Sequence, residues 1–301
     1  MKLIYKNLPS HKVDNCIVTI GAFDGVHLGH QHILKEVKSQ AKKNHKPSLV
    51  ISFDTPPKKV LYSKQKFKGY LTDYRQKASL IESLGVDYLW ILETKTNLLN
   101  YTADKFLSYI SNYFSIDEMI VGSDFRFGIK AGAGTTRLSQ LSDDYNFRLK
   151  IINKKKFDKT LVSSSFIREL IRSSKLEKSK KLLGRNYTLK AKVVRGKGVG
   201  RQLGFPTANL NTFDYILPGQ GVYAAYSKVE NKDFLAAVNI GKKDFEVHLL
   251  NFSKDILNSN IEVTLLSKIR DELSFQSRGQ LIKQIQKDIQ NITSKYSTPT
   301  N

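Results

Sequence analysis

The first half of the chain alternates between short apolar runs and longer stretches with helical spacing. The runs have the length of strands, and apolar residues three and four positions apart mark the stretches between them. This alternation predicts a parallel sheet with helices on both faces. The predicted strands are 17–20, 49–53, 88–92 and 118–121, and the predicted helices are 30–43, 73–84 and 103–113.

The second half has a different pattern. A basic helix is predicted over 163–181, and short β-rich runs separated by Gly, Asn and Lys follow it. Such runs predict an antiparallel sheet or a small barrel. The predicted strands are 193–194, 221–226, 234–240, 245–252 and 261–266, and a closing helix is predicted over 274–289. We therefore expect two domains, residues 1–182 and 183–301.

The composition favours an anionic partner. Lys and Arg number 49 against 27 Asp and Glu, a net charge of +22, which suits nucleotides, nucleic acid or an acidic membrane surface. The sequence has neither zinc-finger spacing nor an aromatic RNA-binding strand, so nucleic-acid binding is the less favoured alternative. With a single cysteine, no signal peptide and no apolar run of membrane length, we expect a soluble cytoplasmic protein. The oligomeric state is undefined.

Residues 21–31 lie where the first predicted strand passes into a helix. Backbone N–H groups and the positive end of a helix dipole meet there, an arrangement that suits a phosphate. His27 and His30 are three residues apart, so both rings face the same side if the turn is helical. The pattern predicts a nucleoside triphosphate site and not a metal site; helix-capping or packed surface histidines are the alternative. The candidate binding residues are Gly21, Phe23, Asp24, Gly25, His27, Gly29 and His30.

Residues 121–128 form a predicted strand that ends in a polar turn bounded by glycine. Asp124 could face a ribose or an amide edge, Arg126 an anion, and Phe125 or Phe127 an aromatic ring. A turn with purely structural aromatic residues is the alternative.

Residues 163–168 predict a helix start capped by Ser163 and Ser164. Arg168 lies one turn into that helix, where it could bind a phosphate through two hydrogen bonds; a surface arginine is the alternative. No Ser or Cys has a recognisable general base beside it. Direct in-line attack of one substrate on the other is therefore the expected chemistry.

Residues 195–209 combine glycines, basic residues and hard oxygen ligands. Pro206 stiffens the chain before Thr207, and the Thr207 hydroxyl and Asn209 amide oxygen suit Mg²⁺. The glycines allow close wrapping of phosphates, although neither standard nucleotide fingerprint is present. A glycine-rich β-turn is the alternative. The candidate binding residues are Gly196, Gly198, Gly200, Arg201, Gly204 and Pro206.

Glu246 lies in a run whose alternation places it opposite the apolar face of the strand. A carboxylate held on a rigid strand could accept a hydroxyl proton. An ordinary exposed strand residue is the alternative.

Taken in order, five motifs resemble the bacterial bifunctional riboflavin kinase/FMN adenylyltransferase family. They occupy residues 23–30, 121–128, 163–168, 203–210 and 270–275, and the resemblance spans nearly the whole chain. It implies an α/β Rossmann-like nucleotidyltransferase domain followed by a six-stranded antiparallel β-barrel with a terminal helix. It also implies Mg²⁺, with ATP, riboflavin and FMN as small-molecule substrates.

For the first domain, the resemblance implies adenylyl transfer. The FMN phosphate would attack the α-phosphate of ATP, releasing pyrophosphate and FAD. His27 and His30 would bind the triphosphate and stabilise developing charge, while Asp124 and Arg168 would help to place the nucleotide.

For the second domain, the resemblance implies transfer of the ATP γ-phosphoryl group to the riboflavin 5′-hydroxyl. Thr207 and Asn209 would hold Mg²⁺, and Glu246 would be the general base.

The sequence departs from the family pattern in several places. Pro56 stands where the family commonly has a histidine, and Ser165 where threonine is usual. The segment between Gly241 and the Glu246 strand is shorter than usual, and a Tyr-Gly pair is missing from 256–259. These departures motivate an alternative in which only one module is active. The net charge motivates a further, less favoured alternative, a basic regulator that responds to nucleic acid or flavin.

Overall fold

The computed structural model describes residues 1–5, 12–61, 67–94, 97–154, 156–157, 160–196, 198–212, 214–242 and 244–296. The contacts within the chain divide it into two compact units, Met1–Ser164 and Ser165–Asn301. Among the described residues, no helix is both long enough and apolar enough to cross a membrane.

The first unit contains a six-stranded parallel sheet flanked by helices. Its strands are β1 (Lys2–Tyr5), β2 (Val13–Ile20), β3 (Ser48–Phe53), β4 (Tyr88–Leu92), β5 (Phe114–Gly122) and β6 (Arg148–Ile152), in the spatial order β1-β4-β3-β2-β5-β6. Its helices are α1 (Leu28–Lys43), α2 (Pro57–Leu61), α3 (Tyr74–Glu82), α4 (Ala103–Ser111) and α5 (Thr135–Asp144). Two 3₁₀ turns (Asn97–Asn100, Ile129–Ala131) and a hairpin of β7 (Lys156–Phe157) with β8 (Thr160–Leu161) complete it.

The predicted parallel sheet is confirmed, and every predicted strand of the first half lies within an observed one. The central strand β2 buries its last five residues, including the single cysteine, Cys16. Leu34, Val37 and Ala41 form the buried face of α1, as their spacing predicts. The edge strands β1 and β6 were not predicted, because these short, partly exposed strands lack a long apolar run.

Strand order places three chain segments at one edge of the sheet. Strands β3, β2 and β5 are neighbours and run in parallel, so their carboxyl ends lie side by side. The segments that leave these ends are 21–27, 54–56 and 123–128. Ligands of open parallel sheets bind outside such ends, and the predicted clustering there is confirmed.

The second unit begins with two helices, α6 (Ser164–Arg172) and α7 (Leu176–Leu183), the first residue of α6 being the last of the first unit. The prediction of one continuous helix over 163–181 was wrong. Ser174 has a φ of 56°, and the N–H of Lys175 donates to Leu170 O, so α6 ends there. Consecutive serines have weak helix propensity, which explains the break.

A closed antiparallel barrel makes up most of the second unit. Its strands are β9 (Tyr187–Val194), β10 (Ala208–Asn211), β11 (Gly221–Val229), β12 (Lys232–Ile240), β13 (Phe245–Leu249) and β14 (Asn260–Arg270), in the order β10-β13-β12-β11-β14-β9. The short helix α8 (Val199–Gln202) lies between β9 and β10, and α9 (Arg278–Tyr296) ends the unit. Of the two predicted architectures, the barrel is correct: among the described residues, each of its six strands pairs with a neighbour on both sides.

Helix α9 is attached to the barrel by a buried ion pair and an apolar cluster. Asp288, only 3% exposed, accepts hydrogen bonds from Arg270 Nε at 2.9 and 3.1 Å and from Gln284 Nε2 at 2.8 Å. Ile292, fully buried, packs with Leu266 of β14. The pair therefore fixes the helix to β14.

We predict that Asp288→Ala destabilises the second unit by about 3 kcal/mol, because it leaves the Arg270 guanidinium without its buried partner. Hydrogen-exchange mass spectrometry of the barrel peptides measures the change. Lys287→Ala, an exposed neighbour in the same helix, is the control and should change stability by less than about 0.5 kcal/mol. Equal protection in both variants would contradict this role.

Candidate active sites

The turn after β2 has an unusual backbone. Gly21 N–H donates to Ile51 O at 3.0 Å, and the chain then passes through positive φ angles at Phe23 (45°), Gly25 (86°) and Val26 (38°). Only glycine adopts such angles without strain, so Phe23 and Val26 hold the turn at a free-energy cost. Both side chains are buried, which offsets that cost. Strain of this kind concentrates at binding sites.

The two histidines of this turn form one unit. His27 is the N-cap of α1, and its Nδ1 accepts the His30 N–H at 3.3 Å. The two rings stack with centroids 3.6 Å apart and an interplanar angle of 17°, and Phe23 meets the His30 ring edge-on. A side chain at Gly29 would press against the His27 ring. The predicted common face is confirmed, and His27 also caps the helix.

His30 has an unused hydrogen-bonding atom. Its Nδ1 is buried and has no hydrogen-bond partner among the described residues. Burial, and next the neighbouring His27 and the Lys77 charge, hold the pKa of His30 well below its ordinary value. The ring is therefore uncharged near pH 7, and an uncharged imidazole has one nitrogen that donates a hydrogen bond and one that accepts.

Asp24 organises the turn from within. Its Oδ1 accepts the N–H groups of Leu71 and Thr72, each at 3.0 Å, while Thr72 Oγ1 accepts the Gly25 N–H at 2.9 Å. The Asp24 carbonyl accepts the Ser164 hydroxyl at 2.8 Å. This contact brings Ser164, near the start of the predicted serine motif, against the histidine turn. The carboxylate accepts hydrogen bonds from two backbone amides and from the Thr72 hydroxyl at 3.5 Å, so it shapes the turn.

Ser163 directly precedes helix α6, in which Arg168 lies one turn beyond Ser164 and is half-buried.

The segment after β5 also lies at this edge of the sheet. Asp124 is exposed and pairs with Lys154 at 2.9 Å. Arg126 donates from Nε to Ala131 O at 2.9 Å and from Nη2 to Gly132 O at 3.1 Å, so it closes its own loop with part of its guanidinium. Phe125 stacks on Phe127 with centroids 5.3 Å apart. The contacts of Arg126 and Phe127 therefore agree with the alternative in which this turn has a structural role. Asp124 and Arg126 are nevertheless exposed and could still contact a ligand.

Sequence reasoning missed Lys77, a buried charge at the same edge. Lys77 is 1% exposed, and its ammonium donates to Ser52 Oγ at 3.0 Å and to Phe53 O at 2.7 Å. Burial lowers its pKa to about 8. One feature of the sequence could have identified it: Lys77 falls on the inner face of a predicted amphipathic helix, beside Ala78 and one turn before Ile81.

In the second unit, the glycine-rich segment folds tightly over the Pro206–Asn209 stretch. A Cβ at Gly196 would overlap the Asn209 side-chain amide, and one at Gly200 would lie 2.8 Å from Thr207 Oγ1. Glycine is required at both positions because neighbouring atoms lie too close for any side chain. Gly198 and Gly204 are required by backbone conformation, with φ values of 71° and 86°. Arg201 is exposed on α8.

Strand register places three polar side chains in one row across the barrel. Asn209 of β10 pairs with Glu246 of β13, and Glu246 pairs with Asn239 of β12. Glu246 is half-buried between the buried Phe245 and Val247, as alternation predicts. Directly paired residues have Cβ atoms about 5 Å apart, so both amides flank the carboxylate. Asn239 was missed because register is invisible in the sequence.

The departures from the family pattern have structural counterparts. Pro56 is buried, and its carbonyl accepts the Lys59 N–H at 2.8 Å at the start of α2, where its ring offers no hydrogen-bond donor. Strands β12 and β13 are joined in a tight connection, with Gly241 N–H donating to Asp244 O at 2.8 Å. The shorter segment thus forms a hairpin in place of a longer loop.

Comparisons with known proteins match both units. A family model described as FAD synthetase matches residues 10–166, and one described as riboflavin kinase matches residues 183–296. A crystal structure from Streptococcus pneumoniae, titled a macrolide-efflux protein, superposes with a TM-score of 0.83 at 26% identity and covers 97% of both chains. From that structure we take the shared fold.

Two relatives share the full arrangement. A bifunctional riboflavin kinase/FMN adenylyltransferase from Buchnera aphidicola is 36% identical over 94% of each chain. One of the same name from Listeria monocytogenes is 32% identical over 99% of each chain. With both family models matched in order, this chain belongs to the bifunctional riboflavin kinase/FMN adenylyltransferase family.

Proposed function

We propose that this chain phosphorylates riboflavin to FMN and then adenylylates FMN to FAD, using one ATP for each step. The observation that supports adenylylation most is the stacked His27–His30 pair, with its unpartnered buried Nδ1, at the carboxyl end of a parallel strand. The proposal assigns adenylylation to residues 1–182 and phosphorylation to residues 183–301, close to the limits of the two family matches. We also propose a cytoplasmic location, as the single cysteine and the composition of the sequence predict.

In the adenylylation site, a phosphate oxygen of FMN attacks the α-phosphorus of ATP. The bond from that phosphorus to the bridging oxygen breaks, and pyrophosphate leaves. His27 and His30 donate hydrogen bonds to the phosphate oxygens on which charge develops, and the stacking of the two rings holds these donors in place. The turn that contains Gly21, Phe23 and Gly25, strained at Phe23 and Val26, presents its backbone at the positive end of α1.

Residues of the neighbouring segments complete that site in the proposal. Asp124, Phe125 and Arg126 border the adenosine or flavin moiety, and Arg168 binds phosphate. Ser163 and Ser164 position the start of the helix that contains Arg168, supported by the Ser164 contact with Asp24.

In the phosphorylation site, the riboflavin 5′-hydroxyl attacks the γ-phosphorus of ATP, and ADP leaves. Glu246 accepts the hydroxyl proton from a rigid strand. The glycine segment, with Arg201, Gly204 and Pro206, encloses the phosphates.

The residues present fit Mg²⁺. The Thr207 hydroxyl and the Asn209 amide oxygen are hard oxygen donors, and each side chain lies against a glycine, Asn209 against Gly196 and Thr207 against Gly200. When bound there, Mg²⁺ would neutralise charge on the ATP phosphates. Thr207 and Asn209 hold it in the proposal.

A second candidate function is the same fold with one active module. The proline at position 56 and the tight hairpin after Gly241 favour it, since each departs from the pattern of the family that the sequence resembles. Parallel assays with riboflavin and with FMN separate the candidates. FAD from FMN but not from riboflavin would show an inactive kinase, and FMN without FAD would show an inactive adenylyltransferase.

We predict that His30→Ala lowers the rate of FAD formation from FMN at least about 100-fold, because a donor to the developing charge is lost. FMN formation from riboflavin should stay within twofold. Chromatography of the flavins measures both steps. His32→Ala, two residues along the same helix, is the control and should leave both rates unchanged. FAD formation at the wild-type rate in His30→Ala would overturn the role.

We predict that Glu246→Gln lowers the rate of FMN formation at least about 100-fold, since the isosteric amide cannot take the proton. The conversion of supplied FMN into FAD should persist. Glu262→Gln, which neutralises a surface carboxylate of the same barrel paired with Lys190, serves as the matched control. An unchanged rate of FMN formation in Glu246→Gln would exclude it as the general base.

We predict that Gly196→Ala raises the Mg²⁺ concentration needed for half-maximal FMN formation roughly tenfold, because the new methyl group displaces the Asn209 amide. A Mg²⁺ titration of the initial rate measures this. Gly279→Ala, where a Cβ meets nothing closer than 4.0 Å, should match wild type. A wild-type Mg²⁺ requirement in Gly196→Ala would argue against Asn209 as a ligand.

A further inference from the structure

The Lys77 ammonium is a buried charge with an incomplete set of partners. It donates to Ser52 Oγ and to Phe53 O, which use two of its three N–H groups. Among the described residues, no carboxylate pairs directly with it. Buried charges are expensive unless they are paired. A lysine that is 1% exposed and has no direct counter-ion therefore destabilises the fold, and its presence calls for a function of its charge.

The ammonium lies at the ligand-binding edge of the sheet. Phe53 is the last residue of β3, which neighbours β2. Ser52, which accepts one Lys77 hydrogen bond, donates in turn to the Ala22 carbonyl of the histidine turn at 3.2 Å. Lys77 is thus connected through one hydroxyl to the backbone that precedes His27. It is also close enough to His30 to oppose protonation of that ring.

Three carboxylates surround this lysine at longer range. Asp24 of the turn, Asp54 after β3 and Asp73 at the N-cap of α3 all favour its charged form, against the effect of burial. Each is already used structurally: Asp24 accepts the Leu71 and Thr72 amides, Asp54 accepts the Thr94 amide at 3.1 Å, and Asp73 accepts the Gln76 amide at 2.7 Å. Uncompensated, they would repel a polyanion at the same edge.

We propose that Lys77 is a positioning residue of the adenylylation site, whose buried charge offsets these carboxylates and allows the histidine turn to accept the triphosphate of ATP. The proposal rests on the proposed function. Lys77 acts through the field at the site and through Ser52, since its own ammonium is covered. The site therefore extends from the histidine turn, through Ser52, to helix α3, which carries Lys77.

The charge of Lys77 sets a pH limit on ATP binding. Its pKa of about 8 lies below the ordinary value, so the ammonium is present below pH 8 and lost above it. The groups that face it are Asp24, Asp54, Asp73 and His30. The depressed pKa of His30 keeps that ring neutral near pH 8. A decline in ATP affinity above pH 8 therefore reports on Lys77.

The test compares Lys77→Met with Arg75→Met in the full chain. Lys77→Met removes the charge and keeps the length; Arg75→Met removes an exposed positive charge two residues away. At pH 7 we expect the KM for ATP in FAD formation to rise roughly tenfold in Lys77→Met, the effect of one unscreened charge near a phosphate. Arg75→Met should match wild type, and neither should change riboflavin phosphorylation.

The pH profile separates this role from a merely structural one. In wild type, the KM for ATP should increase above pH 8, and in Lys77→Met it should be flat across that range. A structural role would lower kcat and thermal stability and leave the pH dependence in place, which would overturn the proposal. If Lys77→Met does not fold, the wild-type profile decides alone: a KM independent of pH between 7 and 9 refutes the proposal. Wild-type protein that forms no FAD would instead refute the proposed function.

Discussion

The parallel pairing of β3, β2 and β5 is the constraint on which the first site depends. Because these neighbours run in the same direction, the three segments leaving their carboxyl ends meet at one edge. The histidine turn, the Pro56 segment and the Asp124 segment are far apart in the chain and become neighbours for this reason alone. Asp24 then locks the turn by accepting the Leu71 and Thr72 amides.

Burial of polar and charged groups is the cost of this arrangement. Asp24 and Lys77 are at most 3% exposed, and His30 retains a buried nitrogen without a partner among the described residues. The Leu71 and Thr72 amides satisfy the Asp24 carboxylate. The Lys77 ammonium and the His30 nitrogen are less fully compensated, and such groups reduce the stability of the folded state unless a ligand compensates them. The candidate site of the barrel does not depend on fully buried charges. Glu246 is half-buried, and two glycines bring the backbone close to Thr207 and Asn209.

Local patterns in the sequence predicted most of the fold and many of the candidate residues. Periodicity identified strands 88–92 and 118–121 and the inner face of α1, because each has its own apolar signal. The break at Ser174 and the edge strand β6 were missed, since weak propensity and partial exposure leave little signal. Lys77 and Asn239 were missed for another reason: burial and cross-strand register are properties of the tertiary structure.

In the proposed function, each domain uses its own ATP and breaks a different bond in it. Quantifying adenine nucleotides and pyrophosphate during flavin turnover tests this most directly. With riboflavin, we expect one ADP and one pyrophosphate for each FAD formed; with FMN, we expect one pyrophosphate for each FAD and no ADP. FAD formed from riboflavin without ADP, or from FMN without pyrophosphate, would contradict it.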